Sequence, residues 1–202
     1  MWLAGIFATI LLLGLILGDW MHFTRLTPAT ARYGCAVARL EDVWQQTGWD
    51  ALVERFGRQG VLHLPHGIAR LFGEDRRILL RPQYRLFSLR FRTAWPLKAC
   101  IEVEPEGRGT RLTCVKRLPW SSALITGAWF TLVLAGTSGF LVVYGLNGGL
   151  ESMSGVLMGL GIVGLGLLVL AFGVVTVSLG YSLENERLTK VYEELRAALS
   201  AP

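Results

Sequence analysis

Charge is nearly missing from one long part of this chain. The 66 residues between Arg117 and Glu184 carry a single formal charge, Glu151, close to their midpoint. A soluble domain of that length is not built this way. The two apolar halves, 118–150 and 152–183, each exceed the roughly 20 residues that a helix needs to cross the hydrocarbon core of a bilayer. A third apolar run, Trp2–Gly18, ends at Asp19. Helices are the expected form, because a spanning helix satisfies its own backbone groups and a barrel strand is about half as long. No charged residue lies inside an expected span, which argues against ion transport or proton relay.

Other absences narrow the function. The sequence has no Walker loop, no GxGxxG after a strand, no GxSxG and no HExxH. Its three cysteines, Cys35, Cys100 and Cys114, have no CxxC spacing and read as reduced core residues. His63-Leu-Pro-His66 is the one close histidine pair, with no acidic or cysteine partner nearby to complete a metal site. His22 stands alone beyond the first run. No enzyme activity, cofactor or metal is therefore expected. Lysine is scarce, at 3 against 17 arginines, a composition that points to a high-GC bacterial genome.

What is present is an arginine-rich middle. Residues 19–118 hold a net charge of +7, and the tail 183–202 a net charge of −1. Arg25 and Arg32 follow the first run, while Lys116 and Arg117 precede the second, so the positive-inside rule puts the middle segment in the cytoplasm. The expected topology is N-terminus outside, with the domain and the C-terminus inside a bacterial inner membrane. A basic n-region and a small-residue cleavage site are both missing around the first run, so it reads as a retained anchor. Trp2, Trp20, Arg117, Trp120 and Tyr181 are candidate anchors at the membrane interface.

The expected fold is an α+β membrane protein. It has a first transmembrane helix at 1–18, a cytoplasmic domain at 19–118, transmembrane helices at 119–147 and 154–181, and a cytoplasmic amphipathic helix at 182–202. Within the domain, Thr27–Pro28 is a helix-start signal. A helix is expected over Ala29–Gln46, with Val37, Leu40, Val43 and Trp44 on one face. A second, at 49–56, buries Trp49, Leu52, Val53 and Phe56 and ends at Gly57. Val61, Ile78–Leu80, Arg85–Arg92, Lys98–Glu104 and Thr110–Lys116 read as strands of an antiparallel sheet, with a turn at Pro105–Gly109. In Lys98–Glu104, Ala99, Ile101 and Val103 share one face, with Lys98, Glu102 and Glu104 opposite.

Two features bear on partners. Gly155, Gly159, Gly161, Gly164, Gly166 and Gly173 allow close helix approach in lipid, either within the hairpin or against another integral membrane subunit. Arg76, Arg77, Arg81, Arg85, Arg90 and Arg92 form a basic cluster. With a membrane adjacent, anionic lipid headgroups are its expected partner, and nucleic acid is not. The tail stripe Leu188, Val191, Tyr192, Leu195 and Leu199 is expected to lie on the domain, with Ser182 as its cap.

Phe91-Arg92 with Trp95-Pro96, then Ile101-Glu-Val-Glu-Pro-Glu-Gly-Arg-Gly-Thr110 and Ala128-Trp-Phe130, resemble uncharacterised small bacterial membrane proteins. In these an antiparallel sheet domain precedes a two-helix transmembrane hairpin, and Glu186-Arg-Leu with Leu195 resembles their closing helix. The resemblance implies architecture and no activity. The expected function is a non-catalytic accessory or assembly subunit of a multi-subunit inner-membrane complex, with respiratory and photosynthetic complexes as candidate settings. The alternative is a membrane-tethered protein that binds lipid or another apolar ligand.

Overall fold

The computed structural model describes residues 2–44, 49–83, 93–106 and 109–200. The chain is α+β, with a six-stranded antiparallel sheet and three helices long and apolar enough to cross a membrane. It divides into two compact units: Met1–Ser122 with Ser182–Pro202, and Ala123–Tyr181.

The first unit begins with α1 (Trp2–Thr24), which runs past the expected end at residue 18 and carries Asp19 and His22 in its last turns. A short α2 (Pro28–Ala31) follows, with Thr27 at its N-cap and Pro28 in its first turn, as the sequence predicts. Beyond Ala31 the expected helix over Ala29–Gln46 does not form. The chain instead makes β1 (Cys35–Trp44), paired antiparallel with β6 (Gly109–Leu118). Two physical causes are visible. Gly34 sits at φ +107, where a Cβ would run into the Leu118 carbonyl and the Phe23 ring, and that backbone conformation ends a helix. Of the supposed apolar stripe only Trp44 is buried: Val37, Leu40 and Val43 are 39%, 51% and 47% exposed on an edge strand. The β-branched residues that mimic a helical period fit a strand equally well. Gln45 and Gln46 lie outside the described residues.

α3 (Trp49–Phe56) matches its expected bounds and stops at Gly57 in the left-handed region; it buries Leu52 and Phe56, but of the expected stripe Val53 is exposed and Trp49 only half-buried. β2 (Val61–His63), β3 (Gly67–Phe72), β4 (Arg77–Pro82) and β5 (Lys98–Glu106) complete the sheet with β6, in the order β1-β6-β5-β4-β3-β2. The strand expected at Arg85–Arg92 lies outside the described residues. Of the turn expected at Pro105–Gly109, Pro105 and Glu106 belong to β5 and Gly109 to β6, while Gly107 and Arg108 lie outside the described residues.

Register assigns two faces. Ile78 pairs with Ile101 and Ile101 with Cys114, while Leu80 pairs with Ala99 and Val103 with Leu112. Paired residues share a face, so these seven make one apolar layer. Leu79, Cys100 and Val115 mark the other face. Cys100 breaks the apolar–polar alternation of its strand because its face is covered too.

The first face is covered by the end of α5 (Met153–Ser200), 48 residues long and unbroken. No separate tail helix starts at Ser182, because neither proline nor a left-handed residue interrupts 153–200. Only the pattern changes, from apolar all round to a single stripe. Leu188, Val191, Leu195 and Leu199 of that stripe are buried, each worth about 1.5–3 kcal/mol when fully removed from water. Tyr192 donates to Asp42 Oδ2 at 2.9 Å, and Lys116 Nζ donates to Asn185 Oδ1 at 2.5 Å. Gly67 lets the helix come close: a Cβ there would run into the Val191 side chain and the Arg81 carbonyl.

The second unit is a helical hairpin of α4 (Trp120–Leu146), from Ala123 onward, and the first part of α5. Gly149 N–H donates to the Tyr144 carbonyl at 2.9 Å and closes the end of α4.

Gly67→Ala is expected to cost about 1–3 kcal/mol by overpacking against Val191 and the Arg81 carbonyl. Thermal unfolding of the detergent-solubilised protein measures this, and Gly73→Ala, where a Cβ meets nothing within 4 Å, serves as the control.

Candidate functional sites

The C-terminal end of α1 gathers polar side chains from several strands of the first unit. A helix end leaves four carbonyls without intrahelical partners, and here each has a donor. Thr24 Oγ1 donates to Met21 O at 3.1 Å, and Arg25 N–H to His22 O at 3.2 Å. Lys98 Nζ donates to Phe23 O at 3.1 Å, and Arg81 Nη1 to Thr24 O. The next residues follow suit. Thr30 Oγ1 donates to Arg25 O at 2.7 Å, Arg70 Nη1 to Leu26 O at 2.7 Å, and Arg117 Nη1 to Gly34 O at 2.9 Å.

Four cations from four strands thus converge on main-chain carbonyls. The strand pattern aims them together. Arg70 pairs with Leu79, Leu79 with Cys100, and Lys98 with Arg117, which puts them all on the face opposite the α5 stripe. The negative end of the α1 dipole favours cations there over neutral donors.

Lys98 is the deepest of the four, only 1% exposed. Its Nζ also donates to Thr30 O at 2.6 Å and lies 4.2 Å from the centroid of the Phe23 ring. No carboxylate forms an ion pair with it among the described residues. Burial pulls its pKa down from the usual lysine value to about 8, against the smaller opposing pull of Cys100 and Asp19. Asp19 is occupied elsewhere. It accepts from Tyr33 Oη, from Ser121 N–H at 2.9 Å and from Ser121 Oγ at 2.6 Å, and so caps the N-terminus of α4 from a different helix. The bond to Asp19 pushes the Tyr33 phenol up to about 12.

The expected basic cluster is dispersed. Arg76 lies over the Trp49 ring at 5.8 Å to the centroid, and Arg77 contacts Asp75 at 3.3 Å and Glu102 at 3.6 Å. Arg81 reaches Thr24 O at the other end of β4. Arg85, Arg90 and Arg92 lie outside the described residues. Of the expected anchors, Trp2 and Trp120 are exposed, Trp20 and Tyr181 are half-buried, and Arg117 serves Gly34 O. His66 is used structurally: its main-chain N–H and its ring Nδ1 both meet the Glu194 carboxylate on α5. Among the described residues, no group of three His, Cys, Asp or Glu side chains is placed to hold a metal.

The glycines of the second unit separate into two sets. A Cβ on Gly159 would meet Leu150 and Leu141, one on Gly166 would meet Thr137, and one on Gly173 would meet Trp129 and Phe130. These three are seven residues apart and form the seam against α4. Gly155 closes on the Gly149 carbonyl in the turn. Gly161 and Gly164 have nothing within 4 Å, as do Gly127, Gly136 and Gly139 on α4.

Lys98, Arg70 and Asp19 are the site residues that local pattern does not reveal. Lys98 reads as an outward residue in a half-buried strand, and only its contact with residues about 70 positions away buries it.

A Lys98→Met variant tests the buried charge. The folded pKa lies below the unfolded one, so the unfolded state binds more protons between about pH 8 and 10.5. Wild-type stability should therefore rise relative to Lys98→Met as pH increases from 8 to 10, as read by denaturant unfolding at each pH. A difference that is flat or falling over that window would contradict the assignment. Comparison of the chain with protein-family models, with curated proteins and with solved structures finds no match.

Proposed function

We propose that this chain is a non-catalytic accessory or assembly subunit that packs against other integral membrane subunits of a bacterial inner-membrane complex, with respiratory and photosynthetic complexes as candidate settings. In this reading α1, α4 and α5 cross the bilayer. The basic flanks Arg25, Arg32, Lys116 and Arg117 hold the sheet and the end of α5 on the cytoplasmic side, and exposed arginines meet anionic headgroups.

One observation carries the proposal. α5 has an unfilled seam on the side away from the filled one. Leu157, Gly161, Gly164, Leu168, Ala171 and Val175 recur in alternating steps of four and three, the period of close helix pairing, and all are exposed. A glycine inside a helix costs about 1 kcal/mol relative to alanine. Gly166 and Gly173 offset that cost with a close contact to α4, but Gly161 and Gly164 make none among the described residues. Close approach by a helix from another subunit would supply it. The ligand-binding alternative needs an unfilled sheet face. Leu188, Val191 and Leu195 lie on one face, and Ala31 with Leu26 on the other, which favours the assembly reading.

Gentle extraction from native membranes followed by native gels should show the chain in a species well above 22.3 kDa. The double variant Gly161→Leu, Gly164→Leu should release it as a folded monomer. Gly166→Leu should instead destabilise the hairpin itself. A wild-type protein that runs only as a monomer would overturn the proposal.

A further inference from the structure

The segment between α1 and β1, residues 25–34, crosses the sheet face that carries Phe72, Leu79 and Cys100. Ala31 packs into that cluster, with Leu26 beside it. Apolar anchorage is slight, since Ala31 is the segment's one fully buried apolar side chain and Leu26 is only partly buried. Polar bonds do most of the holding. Lys98 takes the Thr30 carbonyl, Arg70 the Leu26 carbonyl and Arg117 the Gly34 carbonyl, while Arg32 pairs with Glu102 at 2.5 Å. Three of these four bonds grip main chain, so they hold the path of the segment whatever its side chains are. The opposite face differs in kind, with four buried Leu and Val side chains of α5 on it. Regions with few buried apolar contacts open at lower free energy than the rest of a domain. The segment adds no strand to the sheet, so the ladder does not depend on it. Gly34, at φ +107, turns the chain from the segment into β1.

We propose that residues 25–34 form a strap that lifts off the sheet as a unit, joined to β1 at Gly34 and tied to the end of α1, uncovering Cys100, Leu79 and Phe72 while the α5 face stays packed. The strap makes the position of α1 felt at the sheet: drawing α1 away loads the carbonyl bonds of Lys98, Arg81 and Arg70 first.

The chain holds its own reporters. Cys100 lies under the strap, and Cys114, also buried, lies on the opposite face beneath α5. The test is maleimide labelling of the full chain in detergent, with each cysteine quantified by peptide mass spectrometry across a urea series. Cys100 should label at lower urea, and with a smaller denaturant slope, than Cys114. The double variant Arg70→Gln, Lys98→Met should raise Cys100 labelling without urea by tenfold or more and leave Cys114 within twofold of wild type. Coincident wild-type transitions for the two cysteines would overturn the strap, and that comparison stands even if the variant fails to fold. Equal increases at both cysteines in a folded variant would overturn it as well.

Discussion

The sheet and the first helix are joined by an obligation of the peptide backbone. A helix that stops must find donors for its last carbonyls, and burial removes water as the donor. α1 stops where its Phe23 side chain is buried, so the carbonyls of Phe23 and Thr24 cannot be left to solvent. Lys98 and Arg81 supply the protons from neighbouring strands. Much of the domain follows from that need. The strands must present cations at fixed depths on one face, the chain must turn at Thr27–Pro28 to bring further carbonyls into reach, and Gly34 must be small enough to pass under Leu118.

The choice of a lysine without a carboxylate partner is instructive. A buried ion pair at this place would satisfy one charge with another, but a carboxylate accepts and cannot donate, so it would compete with the helix carbonyls for the same protons. Lys98 faces two carbonyls and an aromatic ring, which are partial negative charges only. The lowered pKa follows from that economy, because the cluster stabilises the ammonium less than water does. A neutral amine would still carry two N–H donors, as many as the two carbonyls it meets. Asp19, the nearby acid, is directed instead at Tyr33 and at the first turn of α4, where its charge meets the positive end of a helix.

Legibility in the sequence depended on whether an element's partner was local. α3 could be read to its ends because the stripe Leu52, Phe56 and the stop at Gly57 are all contained in nine residues. The alternation of Ala99, Ile101 and Val103 was sufficient for β5. β1 was misread because Val37, Leu40 and Val43 satisfy a helical period by accident, and what makes them a strand is β6, more than 60 residues away. The continuity of α5 was hidden by a change in pattern near residue 182, which marks a change of surroundings and not an end. The cations of the α1 site were visible as residues but not as a site. Arg70, Arg81 and Lys98 converge only through the register of three strands, and their ligands are carbonyls, which no side-chain motif records.

The same distinction explains the glycines of α5. In sequence, Gly161 and Gly164 are indistinguishable from Gly159 and Gly166, because all lie in one small-residue tract. A helix turns about 100° per residue, so Gly159 and Gly166 fall within about 20° of each other while Gly161 and Gly164 lie on the far side. Close approach to α4 uses the first pair, which accounts for their small size fully. The second pair needs a separate cause. Lipid chains pack against leucine as readily as against glycine and impose no demand for a missing side chain. A helix backbone does impose it, and α4 is already committed to the other side. In the proposed assembly that helix comes from another subunit, packed on the far side of α5.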